Sequence, residues 1–333
     1  MLKKPSSIDV AERAGVSTAT VSYVFNGRKN ANVPDATRQR VLEAAEMIGY
    51  RPNRLARSLA HGKTHLVGIV SRLDTFDIRI AAPIRDALTA LGYQVLLARS
   101  AGHFEIEHDE VEILLEHQVD ALICVTGGWG IDEVRPWVPA VTRYGIPCVI
   151  VNDTEASGVV DCVVSDNFHA ARDVVRHLAE RGHRRIGHIP GCDYFNGRER
   201  RSGYLAGLDE FGLPHDLETD EAVGYNEETG YKGANLLLDL PEPPSAIFTG
   251  NDLSGAGAYH AIIDRGLRVP EDIALVGFGN EREAVALRMT TVDQDAQRMG
   301  QMAVERVFAR MKDPTLPVET LVAPAELIVR RTT

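Results

Sequence analysis

From Leu66 to Phe278 short apolar runs alternate with stretches of helical periodicity, and the alternation starts over once. LVGIV, YQVLLA, DALICV and PCVIVN are separated by segments with helix-like spacing that end near Leu91, His117 and Tyr144. Apolar runs bounded this way read as strands of a parallel sheet, because each intervening helix must cross back over the sheet. The pattern repeats with CVVSD, a helix through His177, RRIGHIP, a helix to Phe211, a strand near Ala222, a helix to Leu238, SAIFTG, a helix to Arg265 and DIALVGF. TTVDQDAQRMGQMAVERVFARM reads as a further helix and LVAPAELIVR as a last strand pair. Two similar α/β units in tandem predict two lobes with a cleft. Ligands in open α/β sheets sit beyond the carboxyl ends of the strands, so a site is expected between the lobes.

The first 64 residues read differently. SIDVAERAGVSTATVSYVFN parses as a short helix, a turn at Gly15, and a second helix capped by Ser17, whose hydroxyl can accept from amides of the first turn. Val21, Val24 and Phe25 share one face and should pack on Val10, Ala11 and Ala14. Thr18, Ala19, Ser22, Tyr23 and Asn26 form the opposite stripe, with Thr20 beside it. A helix of this width, carrying hydroxyl and amide groups among small side chains, fits the major groove; the plainer reading is a solvated face. A third helix from about Asp35 to Ile48 closes a small core with Val41, Leu42, Ala45 and Ile48, and Gly49 ends it. So few large side chains make a marginal domain.

Charge supports a local polyanion contact. The chain carries a net charge of −11, yet residues 1–64 hold 11 Lys and Arg against 5 Asp and Glu, while the remainder holds 25 against 42. A basic head on an acidic body argues against general nucleic-acid binding and for contact through the head alone. Cys124, Cys148, Cys162 and Cys192 are far apart with no CxxC pair, and buried reduced thiols are expected. Neither a signal-peptide run nor roughly 18 uninterrupted apolar residues occurs, which predicts a cytoplasmic protein without a membrane partner.

VAERAGVSTATVSYVFNG, followed by TRQRVLEAAEMIGYRPNRLARSLAHGKT, resembles the N-terminal segment of the lactose repressor (LacI/GalR) family over about 60 residues. RGHRRIGHIPG, RERRSGY, PSAIFTGND, RVPEDIALVGF and TTVDQD follow in the family's order. The resemblance implies an α/β chain with a three-helix helix-turn-helix head at 1–49, a hinge at 50–64, and a two-lobed, periplasmic-binding-protein-like sensor body with parallel sheets at 65–333. The first lobe is expected at about 65–160 and 292–322, and the second at about 161–291 and 323–333.

It also implies a homodimer on near-palindromic double-stranded operator DNA, with Ser17, Thr18, Ala19, Thr20, Ser22, Tyr23 and Asn26 at the major groove. The hinge would place Arg54 and Arg57 near phosphates and wedge Leu59 into the minor groove; a core leucine is the plainer alternative. In the cleft it assigns Arg200 to clamp the ligand, Asn251 and Tyr225 to contact it, and Asn152 and Gln294 more weakly. Asn251 could equally be only a helix cap. Asp74, Phe76 and Asp77 are candidates from the loop SRLDTFD.

Two positions depart from the family. Tyr23 stands where an arginine is common, and Gly279 in VGFGN replaces an aspartate that accepts from ligand hydroxyls. Asp74, Asp77, Glu281 or Asn280 could take over that role, or Arg200 without its counter-charge could favour an anionic ligand. The expected effector is a sugar or sugar derivative; a nucleoside, purine or anionic metabolite is the alternative.

Catalysis has no sequence support. No P-loop, nucleophile elbow or HExxH occurs, Gly255 and Gly257 lie inside a predicted helix, and the 11 histidines form no metal pattern. No cofactor is expected. A periplasmic binding protein would need a signal peptide and lack the basic head, and an architectural DNA binder would not need a cleft-forming body.

Overall fold

The computed structural model describes residues 5–26, 33–51, 62–100, 103–125, 137–154, 156–216, 219 and 224–333. The chain divides into two compact units, Met1–Thr64 and His65–Thr333.

The first unit contains α1 (Ser7–Ala14), α2 (Thr18–Asn26) and α3 (Asp35–Met47). Ser6 and Asp9 form a capping box at the start of α1, and Gly15 ends it at φ +65°, a conformation glycine takes without penalty. Ser17 Oγ accepts from the Thr20 amide at 3.1 Å, so α2 starts at the expected cap. Val10, Ala11, Ala14, Val21, Val24, Val41, Ala44 and Ala45 form one buried cluster, with Phe25 and Ile48 against it. Leu42 is a correction: it is 41% exposed, and Ala44 takes the core position. Positions 41, 44, 45 and 48 share one helical face, and 42 lies off it. Tyr50, expected in the hinge, packs edge-on against Phe25 at 5.7 Å and so belongs to this core.

In the second unit, β1 (Leu66–Ser71), β2 (Gln94–Arg99), β3 (Ala121–Val125), β4 (Cys148–Val151), β5 (Asp161–Ser165) and β10 (Thr320–Ala323) form one parallel sheet in the order β2-β1-β3-β4-β5-β10. A second sheet has the order β6 (Ile186–Ile189), β7 (Ala246–Thr249), β8 (Ala274–Phe278), β9 (Thr290–Asp293) and β11 (Glu326–Ile328), with only β11 antiparallel. Helices α4 (Thr75–Ala90), α5 (Phe104–Glu116), α6 (Val138–Tyr144) and α12 (Ala296–Lys312) cover the first sheet. Helices α7 (Asn167–Glu180), α8 (Phe195–Phe211), α9 (Glu227–Leu238), α10 (Asp252–Asp264) and α11 (Arg282–Ala286) cover the second. Each sheet is therefore sandwiched between two apolar clusters, which is why its inner strands are apolar on both faces.

The chain crosses between lobes three times, after Ser165, after Asp293 and after Ala323. Strand β5 lies in the first sheet and does not open the second lobe as expected, while β9 lies wholly in the second. TTVD is likewise strand, not helix; α12 begins at Ala296, capped by Asp295 through the Arg298 amide. The last two strands do not pair with each other, since β10 joins β5 and β11 joins β9. The strand expected near Ala222 lies outside the described residues.

A buried charge cluster anchors the return strand. The Asp161 carboxylate, with no side-chain exposure, accepts from Arg306 at 2.9 Å, Arg310 at 2.6 Å and the Glu319 amide at 2.9 Å. Burial pushes its pKa up, but the hydrogen bonds from Arg310, Arg306 and Glu319 outweigh this and hold it below the ordinary carboxylate range. Gly257 lets α10 lie directly on α9: a Cβ there would sit 1.9 Å from the Glu227 carbonyl oxygen. Gly255, its partner in the pair, instead faces Met289, whose Cε a Cβ would meet at 2.7 Å. Cys124, Cys148 and Cys162 are buried free thiols, and Cys192 is half-buried. No described helix is long and apolar enough to cross a membrane.

Candidate functional site

The carboxyl ends of β1, β4, β7, β8 and β9 converge on a cavity of about 150 Å³ between the two lobes. Leu73, Asn152, Asn280 and Asp295, each just past one of these strands, hold positive φ without being glycine. Such conformations persist where the surroundings over-determine them, and they gather at binding sites.

The first-lobe wall is the loop after β1 with the first turn of α4. Asp74 and Phe76 line the cavity, as does Arg72, which pairs with Asp74 at 2.9 Å. Asp74 also caps α4 by accepting from the Asp77 amide at 2.9 Å. Asp77 departs from expectation: it is fully buried behind the loop and lines no part of the cavity. Its Oδ2 accepts from Ser71 Oγ and the Arg72 amide, and burial, reinforced by Asp74, raises its pKa to about 7.

Arg200 on α8 is the centre of the second-lobe wall. It is 5% exposed and donates from Nε to Asn167 Oδ1 at 2.8 Å, from Nη1 to the Gly250 carbonyl at 2.6 Å, and from Nη2 to Gln294 Oε1 at 3.0 Å. Its guanidinium carbon lies 3.9 Å from the Phe278 ring centroid. Among the described residues no carboxylate is within ion-pair distance, and burial lowers its pKa. A guanidinium has five N–H groups, so each terminal nitrogen keeps one donor beyond these three bonds.

An amide chain continues from Arg200 to the opposite lobe. Asn167 Nδ2 donates to Asn196 Oδ1 at 3.3 Å, and Asn196 Nδ2 donates to Asn152 Oδ1 at 3.0 Å and to the Asn152 carbonyl at 3.2 Å. Asn152 follows β4 of the first lobe, Asn196 is on α8 of the second, and Asn167 and Gln294 stand at two of the crossings. Asn152, Asn196, Arg200 and Gln294 all line the cavity.

Tyr225 and Asn251 complete this side. The Tyr225 ring lies so close over Gly191 that a Cβ there would be 2.2 Å from it, and its buried hydroxyl has no hydrogen-bond partner among the described residues. Asn251 is a helix cap, one of the two alternatives left open by the sequence: its Oδ1 caps α10 through the Ser254 amide and its Nδ2 holds the Tyr225 carbonyl, and the residue also lines the cavity.

Asn280 is not brought into the site. Its Nδ2 donates to Asp293 Oδ2, its Oδ1 accepts from Arg330, and its amide donates to Thr291 Oγ1, which spends it inside the second lobe. Glu281 does line the cavity. Arg72, Asn196 and Tyr194 also line it without having been singled out by sequence. Arg72 belonged to the loop already suspected, whereas nothing in the local pattern marks Asn196. Among the described residues no group of three or more His, Cys, Asp and Glu could hold a metal ion.

In the head, Ser17, Thr18, Ala19, Ser22 and Tyr23 are exposed on one side of α2, opposite the buried Val21 and Val24. Thr20 is half-buried, with its hydroxyl 2.9 Å from that of Ser17, so both hydroxyls contribute to the cap. Asn26 ends the helix. Arg54, Arg57 and Leu59 lie outside the described residues.

A three-helix head with an exposed polar stripe on its second helix, and a body with a cavity between two α/β lobes, have the architecture of a ligand-sensing DNA-binding regulator. Residues 8–53 match the family model for bacterial regulatory proteins of the lacI family, and residues 175–333 match a periplasmic binding protein-like domain. Catabolite control protein A of Priestia megaterium is 33% identical over 331 residues, 98% of each chain. The HTH-type transcriptional repressor PurR of Photorhabdus laumondii is 31% identical over 97% of this chain and 95% of its own. The lac repressor dimer bound to operator and the anti-inducer ONPF superposes with a TM-score of 0.85 at 27% identity, covering 99% of each chain. The chain belongs to the LacI family: it is a DNA-binding transcriptional regulator with a ligand-binding sensor body. Of these relatives, PurR is named as a transcriptional repressor and the lac repressor is bound to its operator.

Proposed function

We propose that the chain is a repressor that works as a homodimer on near-palindromic operator DNA in the cytoplasm, its grip set by a hydroxyl-rich effector of about monosaccharide size. The observation that carries the effector reading is Arg200, a buried guanidinium on the cavity wall that keeps two donors beyond its three hydrogen bonds. Each donor needs an acceptor, because a buried unsatisfied polar group costs about 1–3 kcal/mol. The first-lobe wall offers an acceptor on Asp74 and the second-lobe wall another on Glu281, while Phe76 and Tyr194 supply ring surface. Donors, acceptors and aromatic faces around one small cavity suit a small polyol better than an anion, since the site already contains both signs of charge.

Occupancy can reach the DNA because Arg200 is bonded to residues at two of the three crossings, Asn167 and Gln294. An effector that draws on Arg200 favours one angle between the lobes, and shifts operator affinity only by its preference for that angle. On the DNA, Thr18, Ala19, Ser22, Tyr23 and Asn26 read the major groove, with Ser17 and Thr20 at the phosphate-facing start of α2. By its family resemblance the hinge contributes Arg54 and Arg57 at the backbone and Leu59 as a minor-groove wedge.

Thermal unfolding against neutral sugars, sugar acids, nucleosides and purines tests the effector class. A rise in melting temperature with a neutral sugar is expected; a rise with a purine alone sinks this reading. Gel-shift titration on a symmetric operator tests the rest: Leu59→Ala should weaken binding about tenfold or more while the sugar-induced melting shift persists. Equal operator affinity would remove the wedge.

A further inference from the structure

The carboxylate buried behind the first-lobe wall shapes the loop that forms it. Ser71 Oγ donates to Asp77 Oδ2 at 3.2 Å and accepts from the Leu73 amide at 3.0 Å, while the Arg72 amide donates to the same Oδ2 at 3.1 Å. These bonds hold Leu73 at φ +59°, a left-handed conformation that a leucine rarely adopts. The turn fixed in this way presents Arg72 and Asp74 to the cavity.

Two polar atoms of opposite kind are left over behind that turn. Asp77 is fully buried, yet among the described residues its Oδ1 has no hydrogen bond, and neither has Arg72 Nε, which stops 3.8 Å from Asp77 Oδ2. Arg72 Nη2 lies instead 2.9 Å from Asp74 Oδ2. One guanidinium thus stands between two carboxylates, bonded to the one on the cavity and just out of reach of the buried one. An unpaired buried oxygen is far more costly on an ionised acid than on a neutral one. Ionised Asp77 therefore pulls on the nearest unspent donor, which is Arg72 Nε.

We propose that Asp77 is a positioning residue worked by one proton: once ionised, it draws the Arg72 guanidinium inward from Asp74 and so frees Asp74 for the effector. The proposal rests on reading this cavity as the effector site. Neutral Asp77 leaves Arg72 on Asp74, where an effector hydroxyl must displace it. Burial is the largest influence on Asp77; Asp74, at the start of α4, adds to it, and Arg72 opposes both, which leaves the pKa at about 7. From β2, Arg99 donates to the Arg72 carbonyl at 3.4 Å. From α12, Ala296, Met299 and Gly300 pack against α4, and none of them titrates. Across the cleft the charge of Arg72 acts on Tyr225 and Cys192. Effector affinity should therefore rise with pH through about 7. The ionised fraction of Asp77 goes from about one tenth at pH 6 to about nine tenths at pH 8, so the gain is at most about ninefold.

The test is calorimetric titration of full-length wild type, Asp77→Asn and Arg72→Ala with D-glucose, D-galactose and D-ribose at pH 6 and pH 8. Glu281, on the same cavity, is also raised to about 7 and titrates in all three chains, so the difference between their pH slopes is the readout. For a sugar that binds wild type, the gain from pH 6 to pH 8 should shrink about fivefold in both variants, but at opposite levels. Asp77→Asn should keep the weaker, pH 6 affinity, because Arg72 stays on Asp74. Arg72→Ala should keep the stronger, pH 8 affinity, because Asp74 is free throughout. A gain in Asp77→Asn equal to that of wild type overturns the proposal. So does an Arg72→Ala that binds more weakly than wild type at pH 8, since Arg72 would then be a ligand contact. Should Asp77→Asn fail to fold, Arg72→Ala decides alone, and an unchanged pH slope in it overturns the proposal. A wild type that binds none of the sugars overturns the effector reading and this role with it.

Discussion

Arg79, on the first-lobe helix α4, donates through Nη1 to the backbone carbonyls of Gly279 at 2.5 Å and Asn280 at 3.1 Å in the second lobe. Its other terminal nitrogen lies 3.7 Å from Asp293 beside the second crossing. A single first-lobe side chain therefore clasps the cleft rim at the peptide where the sequence departs from its family.

Arg79→Ala should let the lobes part. Small-angle scattering of the ligand-free protein should give a larger radius of gyration than wild type. Because the side chain is about one-third exposed, the loss of stability should be only about 1 kcal/mol. An unchanged radius would show that the three crossings alone hold the lobes.

Arg200→Lys keeps the charge and discards the fork. A lysine cannot reach Asn167, Gly250 and Gln294 together, so buried acceptors lose their donors and about 2–3 kcal/mol of stability should go. The melting shift caused by an effector should vanish while the effector-free protein still binds operator. An effector response equal to wild type would place the ligand elsewhere.

Stability should fall as pH rises from about 5 to 8. Asp77 and Glu281 are raised to about 7 and Asp252 to about 6, each chiefly by burial. The unfolded chain gives up these protons at lower pH than the native state does, so their contribution is full in acid and lost through the raised values. Urea midpoints at pH 5 and 8 should show the decline, and Asp77→Asn, which keeps an acceptor for Ser71 and Arg72, should reduce it. A midpoint that rises over this range contradicts the assignment.

Asp161→Ala should cost about 3–5 kcal/mol, because it strands two arginines around a vacated buried site. Asp161 titrates low, so wild type should keep this contribution at pH 5 and lose it only in stronger acid. A loss under 1 kcal/mol in urea unfolding would mean that water replaces the carboxylate.

The alternation of apolar runs and helical spacing was enough to read two α/β units and their order. It did not show where one sheet ends, because Asp161–Ser165 looks the same in either lobe and only its neighbours Val149–Val151 and Thr320–Ala323 decide. TTVD was read as helix from the long helix that follows it, although its β-branched residues carried the strand signal. In the site, Arg200, Tyr225, Asn251, Asn152 and Gln294 were legible through the family's order of landmarks, and they line one cavity. Asp77 and Asn280 were not separable from their neighbours by sequence. Asp77 stands three residues after the Asp74 cap, on the turn of α4 that faces the sheet, and Asn280 is turned aside by a backbone with φ +53°. Leu42 failed for a simpler reason, since it lies off the face shared by 41, 44, 45 and 48.

Two bodies joined by one strand can swivel, slide and twist; joined by three, they keep far fewer freedoms. Here the first and third connections are bonded to each other through the Asp166 amide and the Ala323 carbonyl. Bending about the line they define remains open, while shear and torsion strain all three at once. The body then works as a gauge with one coordinate, and different small molecules in the cavity could only set different readings on the same dial.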